Sequence, residues 1–89
     1  MITNKELKLI NKKYFTILQV GGFAISIQSN NTRHYWHLVV EEYPRFRHYK
    51  VYHKHKRSDE FHVHRDEPNL QTALRHIMEH DRFQMNGRK

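Results

Sequence analysis

Histidine is the residue type whose spacing in this sequence most directly suggests chemistry, and the chain contains nine of them. His53 and His55 are separated by one residue, as are His62 and His64. Residues two apart on a β-strand share a face. A hairpin with a two-residue turn at positions 58–59 would therefore gather these imidazoles into a zinc or nickel site.

The apolar residues favour a different register for the same hairpin. A loop of odd length puts Phe61 and Val63 on the core side of the sheet together with Val51. The same loop turns His62 and His64 outward. We therefore predict no native metal site and no cofactor.

A further histidine pattern lies near the C-terminal end of the sequence. His76-Ile77-Met78-Glu79-His80 matches H-x-x-E-H, the inverted zincin motif. Zinc chemistry there would need both histidines on the metal, the glutamate as base and a third protein ligand. The motif is short in a chain rich in histidine, and 89 residues are few for the cleft of such peptidases. We assign no catalytic residue from it.

A cationic segment at residues 44–57 is the strongest functional feature. It has no acidic residue, and its basic members are Arg45, Arg47, Lys50, Lys54, Lys56 and Arg57. They are six of the sixteen Lys and Arg, so the rest of the chain has ten basic residues against nine acidic ones. Nearly all of the net charge of +7 therefore lies in this segment.

Aromatic residues are interleaved with these cations, namely Phe46, Tyr49 and Tyr52. Cations that neutralise phosphates, beside rings that stack on bases, are typical of proteins that bind single-stranded nucleic acid. Lysines on an edge strand also discourage aggregation, which is the alternative explanation of the pattern.

A helix at each end of the chain is predicted from local signals. Thr3 and Glu6 form a capping box that favours a helix over residues 4–13. Pro68 and Asn69 begin a second helix, and Gly87 follows its end. The apolar stripe of the second helix is Leu70, Ala73, Leu74, Ile77 and Met78.

The residues between the helices alternate in polarity as strands do. The predicted strands are residues 14–20, 23–29, 33–43, 49–56 and 61–64. Glycines at 21–22 and asparagines at 30–31 predict two-residue turns. The first turn sets Leu18 opposite Ile25 and Val20 opposite Phe23.

The second turn extends the same buried face into the next strand. It sets Ile25 opposite Trp36 and Phe23 opposite Leu38, so both turns agree. The predicted fold is α+β, in the order α-β-β-β-β-β-α, as one domain over residues 1–89. A five-stranded antiparallel meander carries both helices on one face and leaves the other face open.

Composition limits where such a chain works. It has no cysteine, which excludes disulfides and thiolate chemistry. Its apolar runs are too short for a membrane span or a signal peptide. We expect a cytoplasmic protein without a membrane partner.

The leading hypothesis is a small, non-enzymatic, nucleic-acid-binding accessory protein that prefers single strands. The predicted contacts are Tyr35, His37, Arg45, Arg47, Lys50, Tyr52, Lys54, Lys56, Arg57, His62 and His64. A second hypothesis is an adaptor or inhibitor that binds an acidic protein through the same surface. A third is a metal-independent ribonuclease, in which histidines and cations of that surface supply the acid, the base and the charge stabilisation.

Overall fold

A computed structural model describes residues 1–86 of the chain. Its elements are α1 (Asn4–Leu7), β1 (Phe15–Val20), β2 (Ala24–Ser29), β3 (Tyr35–Glu42), β4 (Arg47–Lys54), β5 (His62–Glu67) and α2 (Leu70–Asn86). The strands form one antiparallel sheet in which each strand is bonded to the next along the chain. The predicted α+β class and element order are confirmed. The prediction that Gly87 follows the last helix lies outside the described residues.

The hydrophobic core lies between the helices and one face of the sheet, which we call the inner face. Trp36, Leu38 and Val40 alternate along β3 and are all buried there, as predicted. The second helix adds Leu70, Ala73, Leu74 and Ile77. Removing such side chains from water is the main stabilising contribution to a domain of this size.

The first helix is shorter than predicted and ends at Leu7. Its capping box is present, since Thr3 Oγ1 accepts from the Glu6 N–H at 3.1 Å and Glu6 accepts from the Thr3 N–H at 3.0 Å. The Asn11 side chain then accepts from the Lys13 N–H at 2.9 Å. Such a local side-chain bond competes with helical hydrogen bonding, and the chain turns toward β1 instead.

The first hairpin has a different register from the predicted one. Val20 pairs with Ile25 rather than with Phe23, and the ladder then skips Leu18, which forms a bulge. An extra residue in one strand reverses the face of the residues beyond it, so Ile17 packs against the core. Leu18, Val20 and Phe23 were expected in the core but are 48%, 48% and 53% exposed.

The second turn is longer than predicted, although it buries the expected face of β3. The Ser29 N–H donates to the His34 carbonyl at 3.0 Å, so residues 30–33 form the loop. Trp36 consequently pairs with Ile27 instead of Ile25. A shift of two residues preserves the side on which each residue lies.

Candidate binding surfaces on the two faces of the sheet

The outer face of the sheet, opposite the helices, brings together several predicted contact residues. In the β3–β4 ladder Tyr35 pairs with Lys54, and His37 pairs with Tyr52. Lys50 follows on the same side of β4. All five side chains are partly buried, so the sheet holds them in place while their ends reach solvent.

Lys54 is the cation around which the aromatic rings of the outer face lie. Its Nζ is 5.3 Å from the centroid of Tyr35 and 4.6 Å from that of Phe61. It also donates to the Arg57 carbonyl at 2.9 Å. The Phe61 ring is 38% exposed and 5.6 Å from the ring of His37. Cation–π attraction at these distances holds the ammonium group among the rings.

The imidazole of His37 is neutral at pH 7. Its Nδ1 is hydrogen-bonded to Ser26 Oγ at 2.8 Å. Partial burial lowers the pKa of His37 below its ordinary value of 6.5, because the charged form loses hydration. His37 therefore offers a ring and a hydrogen bond at neutral pH, and a charge only in acid.

The other basic residues of segment 44–57 are divided among separate places. Lys56 and Arg57 are exposed in the loop between β4 and β5. Arg45 is exposed in the loop at the opposite end of β4. Arg47 donates through Nη1 to the Glu6 carboxylate at 3.1 Å, and this ion pair joins β4 to α1.

The hairpin of β4 and β5 contradicts the register that the apolar pattern favoured. His53 pairs with His62, and the ladder skips His64, which bulges. His62 thus shares the inner side with His53, and the His64 ring lies beside the buried Trp36 at 5.4 Å. Val63 and Phe61, expected in the core, are 57% and 38% exposed.

A histidine cluster occupies the inner face where the sheet meets α2. We define it as His34, His53, His55, His62, His64 and His80. At its centre, one ring nitrogen from each of His34, His53 and His80 lies within 4.8 Å of the others. His53 Nε2 is 3.0 Å from His34 Nδ1. The first two residues are buried and His80 is partly buried.

The other cluster members surround this centre. His55 stacks on His34 with ring centroids 4.2 Å apart and planes inclined by 11°. The His64 ring lies 5.4 Å from that of His80 and 5.7 Å from that of His53. The imidazoles therefore pack mainly against one another.

Trp36 forms the floor of the histidine cluster. Its ring is 4.2 Å from His53 and 5.2 Å from His80. Its Nε1 donates to Ser29 Oγ at 3.0 Å, and that hydroxyl donates to the buried Asp81 carboxylate at 2.6 Å. This chain of hydrogen bonds ties β2, β3 and α2 together and fixes the helix turn that carries His80.

Burial keeps the His53 imidazole neutral at pH 7. It lowers the pKa of His53 from 6.5 to about 3, and the neighbouring imidazoles add to the effect. Burial also lowers the pKa of His64. Neutral imidazoles retain a lone pair on one ring nitrogen.

The H-x-x-E-H pattern does not form a unit in the structure. His76 Nδ1 is 2.8 Å from the buried carboxylate of Glu67, whereas His80 faces the histidine cluster. Glu79 is exposed to solvent. The two histidines of the motif therefore lie in different environments.

Sequence reasoning missed His34 and His80. The spacing of His80 from Ala73 and Ile77 continues the buried stripe of α2, so the helical pattern did contain a signal. His34 joins the cluster through the length of the loop at residues 30–33, for which the composition gave no equivalent signal.

No protein-family model, characterised protein or solved structure matches the chain. Within residues 1–86, no helix is long and apolar enough to cross a membrane. Function is therefore argued from the two surfaces described above.

Proposed function

We propose that the protein binds single-stranded nucleic acid on the outer face of its sheet and the adjoining loop between β4 and β5. The observation that carries this proposal is the Lys54 ammonium group, held within 5.3 Å of the centroids of the Tyr35 and Phe61 rings. Partly exposed rings offer stacking platforms worth about 1–3 kcal/mol per base. A cation beside them suits the adjacent phosphate.

The residues that share this surface extend the same chemistry. Tyr52 and His37 supply further rings, which lie 6.1 Å apart, and Lys50 supplies a second cation on the same side of β4. Exposed Lys56 and Arg57 add positive charge at the loop. Every base has a π-face, so such a surface favours single strands without requiring one sequence.

Some residues predicted from the sequence are left out of this proposal. Arg47 is paired with Glu6, and His62 and His64 belong to the inner face. Arg45 lies beyond the far end of β4, a strand that spans roughly 24 Å from Arg47 to Lys54 at about 3.4 Å per residue. We assign it long-range attraction only.

The two other hypotheses are weighed against the same surface. An acidic protein would use the cations without needing rings for stacking. RNA cleavage would need an acid and a base on one phosphate, but His62 and His64 lie on the opposite face from His37. We therefore do not propose cleavage.

The test is a titration of labelled single- and double-stranded DNA and RNA oligomers, followed by fluorescence anisotropy at several salt concentrations. For single strands, log K should fall with log salt by about 0.7 per phosphate contact. Reversing Lys50, Lys54 and Lys56 to Glu should remove about 2 from that slope, together with most of the affinity. An unchanged circular dichroism spectrum checks that the fold persists.

A matched control reverses Lys5, Lys8 and Lys12, which are exposed at α1 and the turn after it. This variant carries the same change in charge and should lose much less affinity. Tyr35→Leu should weaken single-strand binding while leaving the salt slope unchanged, because it removes only stacking. Equal losses in both triple variants, or no binding at low salt, would contradict the proposal and favour the acidic partner.

A further inference from the structure

The histidine cluster is not used by the proposed function and carries a separate inference. We propose that His34, His53 and His80 bind one divalent transition-metal ion of the zinc and nickel class. The site lies on the inner face, behind the proposed nucleic-acid surface, so neither site depends on the other.

The spacing of the donor atoms fits one ion after small side-chain rotations. Ligand nitrogens on tetrahedral zinc lie about 2.0–2.1 Å from the metal and hence roughly 3.3 Å from one another. The three nitrogens here lie within 4.8 Å of one another. The hydrogen bond of 3.0 Å between His53 Nε2 and His34 Nδ1 would give way to the two bonds to the metal. His34 directly precedes β3, His53 lies in β4 and His80 lies in α2, and the core packs these three elements together.

One ring nitrogen of His80 has no hydrogen-bond partner within residues 1–86. His80 Nδ1 is buried without a hydrogen bond in the described part of the chain. It lies 3.8 Å from Asp81 Oδ1, too far for a hydrogen bond. That carboxylate already accepts from the hydroxyls of Tyr14, Ser29 and Thr32. Buried polar atoms without partners cost free energy, and an ion bound at this nitrogen would remove that cost.

The ligand type selects the class of ion. Imidazole nitrogens suit zinc, copper and nickel, whereas magnesium and calcium prefer oxygen ligands.

The fourth position of a tetrahedral ion has a candidate ligand close by. The His64 ring lies 5.4 Å from the His80 ring and is partly buried. The bulge that contains His64 gives it freedom to approach. Three histidines with a fourth ligand or a water complete the coordination that zinc prefers.

The test uses the full chain without an affinity tag, freed of metal by chelation and dialysis. Isothermal titration with zinc chloride, and separately with nickel chloride, should give one ion per chain at micromolar Kd or tighter, on the order of −8 kcal/mol. Magnesium chloride should give no binding. The thermal midpoint should rise with added zinc, because only the folded chain has the site.

Single-residue variants assign the ligands. His80→Gln and His34→Gln should each weaken zinc binding by roughly tenfold or more, the scale seen even for residues that only support a ligand. His37→Gln on the outer face and His76→Gln on α2 are controls with the same loss of one imidazole, and both should bind like the parent. Circular dichroism shows that each variant is folded.

Two results would overturn the inference. One is the absence of saturable one-to-one zinc binding by the folded parent chain. The other is equal weakening in the control and ligand variants, which would mean diffuse attraction to many histidines. Neither result bears on nucleic-acid binding, which is measured with metal absent.

Discussion

On the outer face of the sheet, His37 Nδ1 is hydrogen-bonded to Ser26 Oγ at 2.8 Å, and its ring lies among lysine and aromatic side chains. On the inner face, His34, His53 and His80 lie against one another in a buried cluster. Histidine thus offers a ring at the surface on the outer face and a set of converging ring nitrogens on the inner face. The register of the strands decides which chemistry a histidine can serve, since a shift of one residue changes its face.

The opposite end of the inner face holds a polar site built around a carboxylate. Glu6 accepts from Arg47 Nη1 at 3.1 Å and from the Tyr49 hydroxyl at 2.6 Å. Burial alone would raise the pKa of Glu6, but these hydrogen bonds lower it to about 2. The carboxylate has a cation and a hydroxyl as partners, whereas His80 Nδ1 is buried without a hydrogen bond in the described part of the chain. We place the ligand at the histidine end because three ring nitrogens converge there.

The largest effect is expected at the floor of the histidine cluster. Trp36 is 0% exposed, and its Nε1 donates a hydrogen bond to Ser29 Oγ. Trp36→Ala should therefore lower the free energy of unfolding by about 3–5 kcal/mol. Urea denaturation measures the loss, and Tyr52→Ala on the outer face should cost only about 1 kcal/mol. Native tryptophan fluorescence that iodide quenches readily would show that the two faces are assigned wrongly.

A smaller effect tests the register of the β4–β5 hairpin. Val51 is 1% exposed on the inner face, and Val63 is 57% exposed on the outer face. Val51→Ala should cost about 2 kcal/mol through lost burial and a cavity, and Val63→Ala about 0.5 kcal/mol or less. Similar losses at both positions, measured by urea denaturation, would restore the register in which both valines lie in the core.

A comparable effect should appear on acidification in the presence of chelator. The pKa of His53 is about 3 in the folded protein, against 6.5 as its ordinary value, so the unfolded chain takes up a proton first. Above pH 6.5 His53 is neutral in both states and does not change the stability. As the pH falls from 6.5 toward 3, only the unfolded chain gains the proton, so the free energy of unfolding decreases. Between pH 7 and pH 5 this histidine alone should cost about 2 kcal/mol of stability.

The imidazoles that repel a charged His53 are His34, His80, His55 and His64. Urea denaturation at a series of pH values measures the dependence. Stability that stays constant from pH 7 to pH 5 would mean that the cluster is open to water and accepts protons freely. The centre of the cluster would then not be buried.

The sequence predicted the fold, and it predicted which side chains of β3 and β4 point outward wherever alternation runs without interruption. Trp36, Leu38 and Val40 define the inner side of β3, and the outward side then follows. Alternation fails at the bulges of Leu18 and His64, because one extra residue exchanges the faces without changing the composition. The fold class survives such errors, but the location of a site does not.

The histidine cluster could not be predicted from the sequence for the same physical reason. The sequence contained the paired histidines of β4 and β5. Counting the apolar Phe61 and Val63 as core residues, however, predicted that His62 and His64 point outward. In the structure those two apolar residues lie on the outer face, where Phe61 contacts the Lys54 ammonium group. Cation–π contacts of this kind are not visible in a pattern that counts every apolar residue as core.

The central claim is that the two faces of the sheet are separate binding surfaces. Heteronuclear amide correlation spectra of the isotope-labelled chain test it directly, with a single-stranded oligonucleotide added to one sample and zinc chloride to another. The oligonucleotide should shift signals of Tyr35, His37, Lys50, Tyr52, Lys54 and Phe61. Zinc should shift those of His34, His53, His64 and His80. The claim of two separate surfaces would be contradicted if both additions shifted the same residues. It would also be contradicted if the oligonucleotide shifted only the residues expected to respond to zinc.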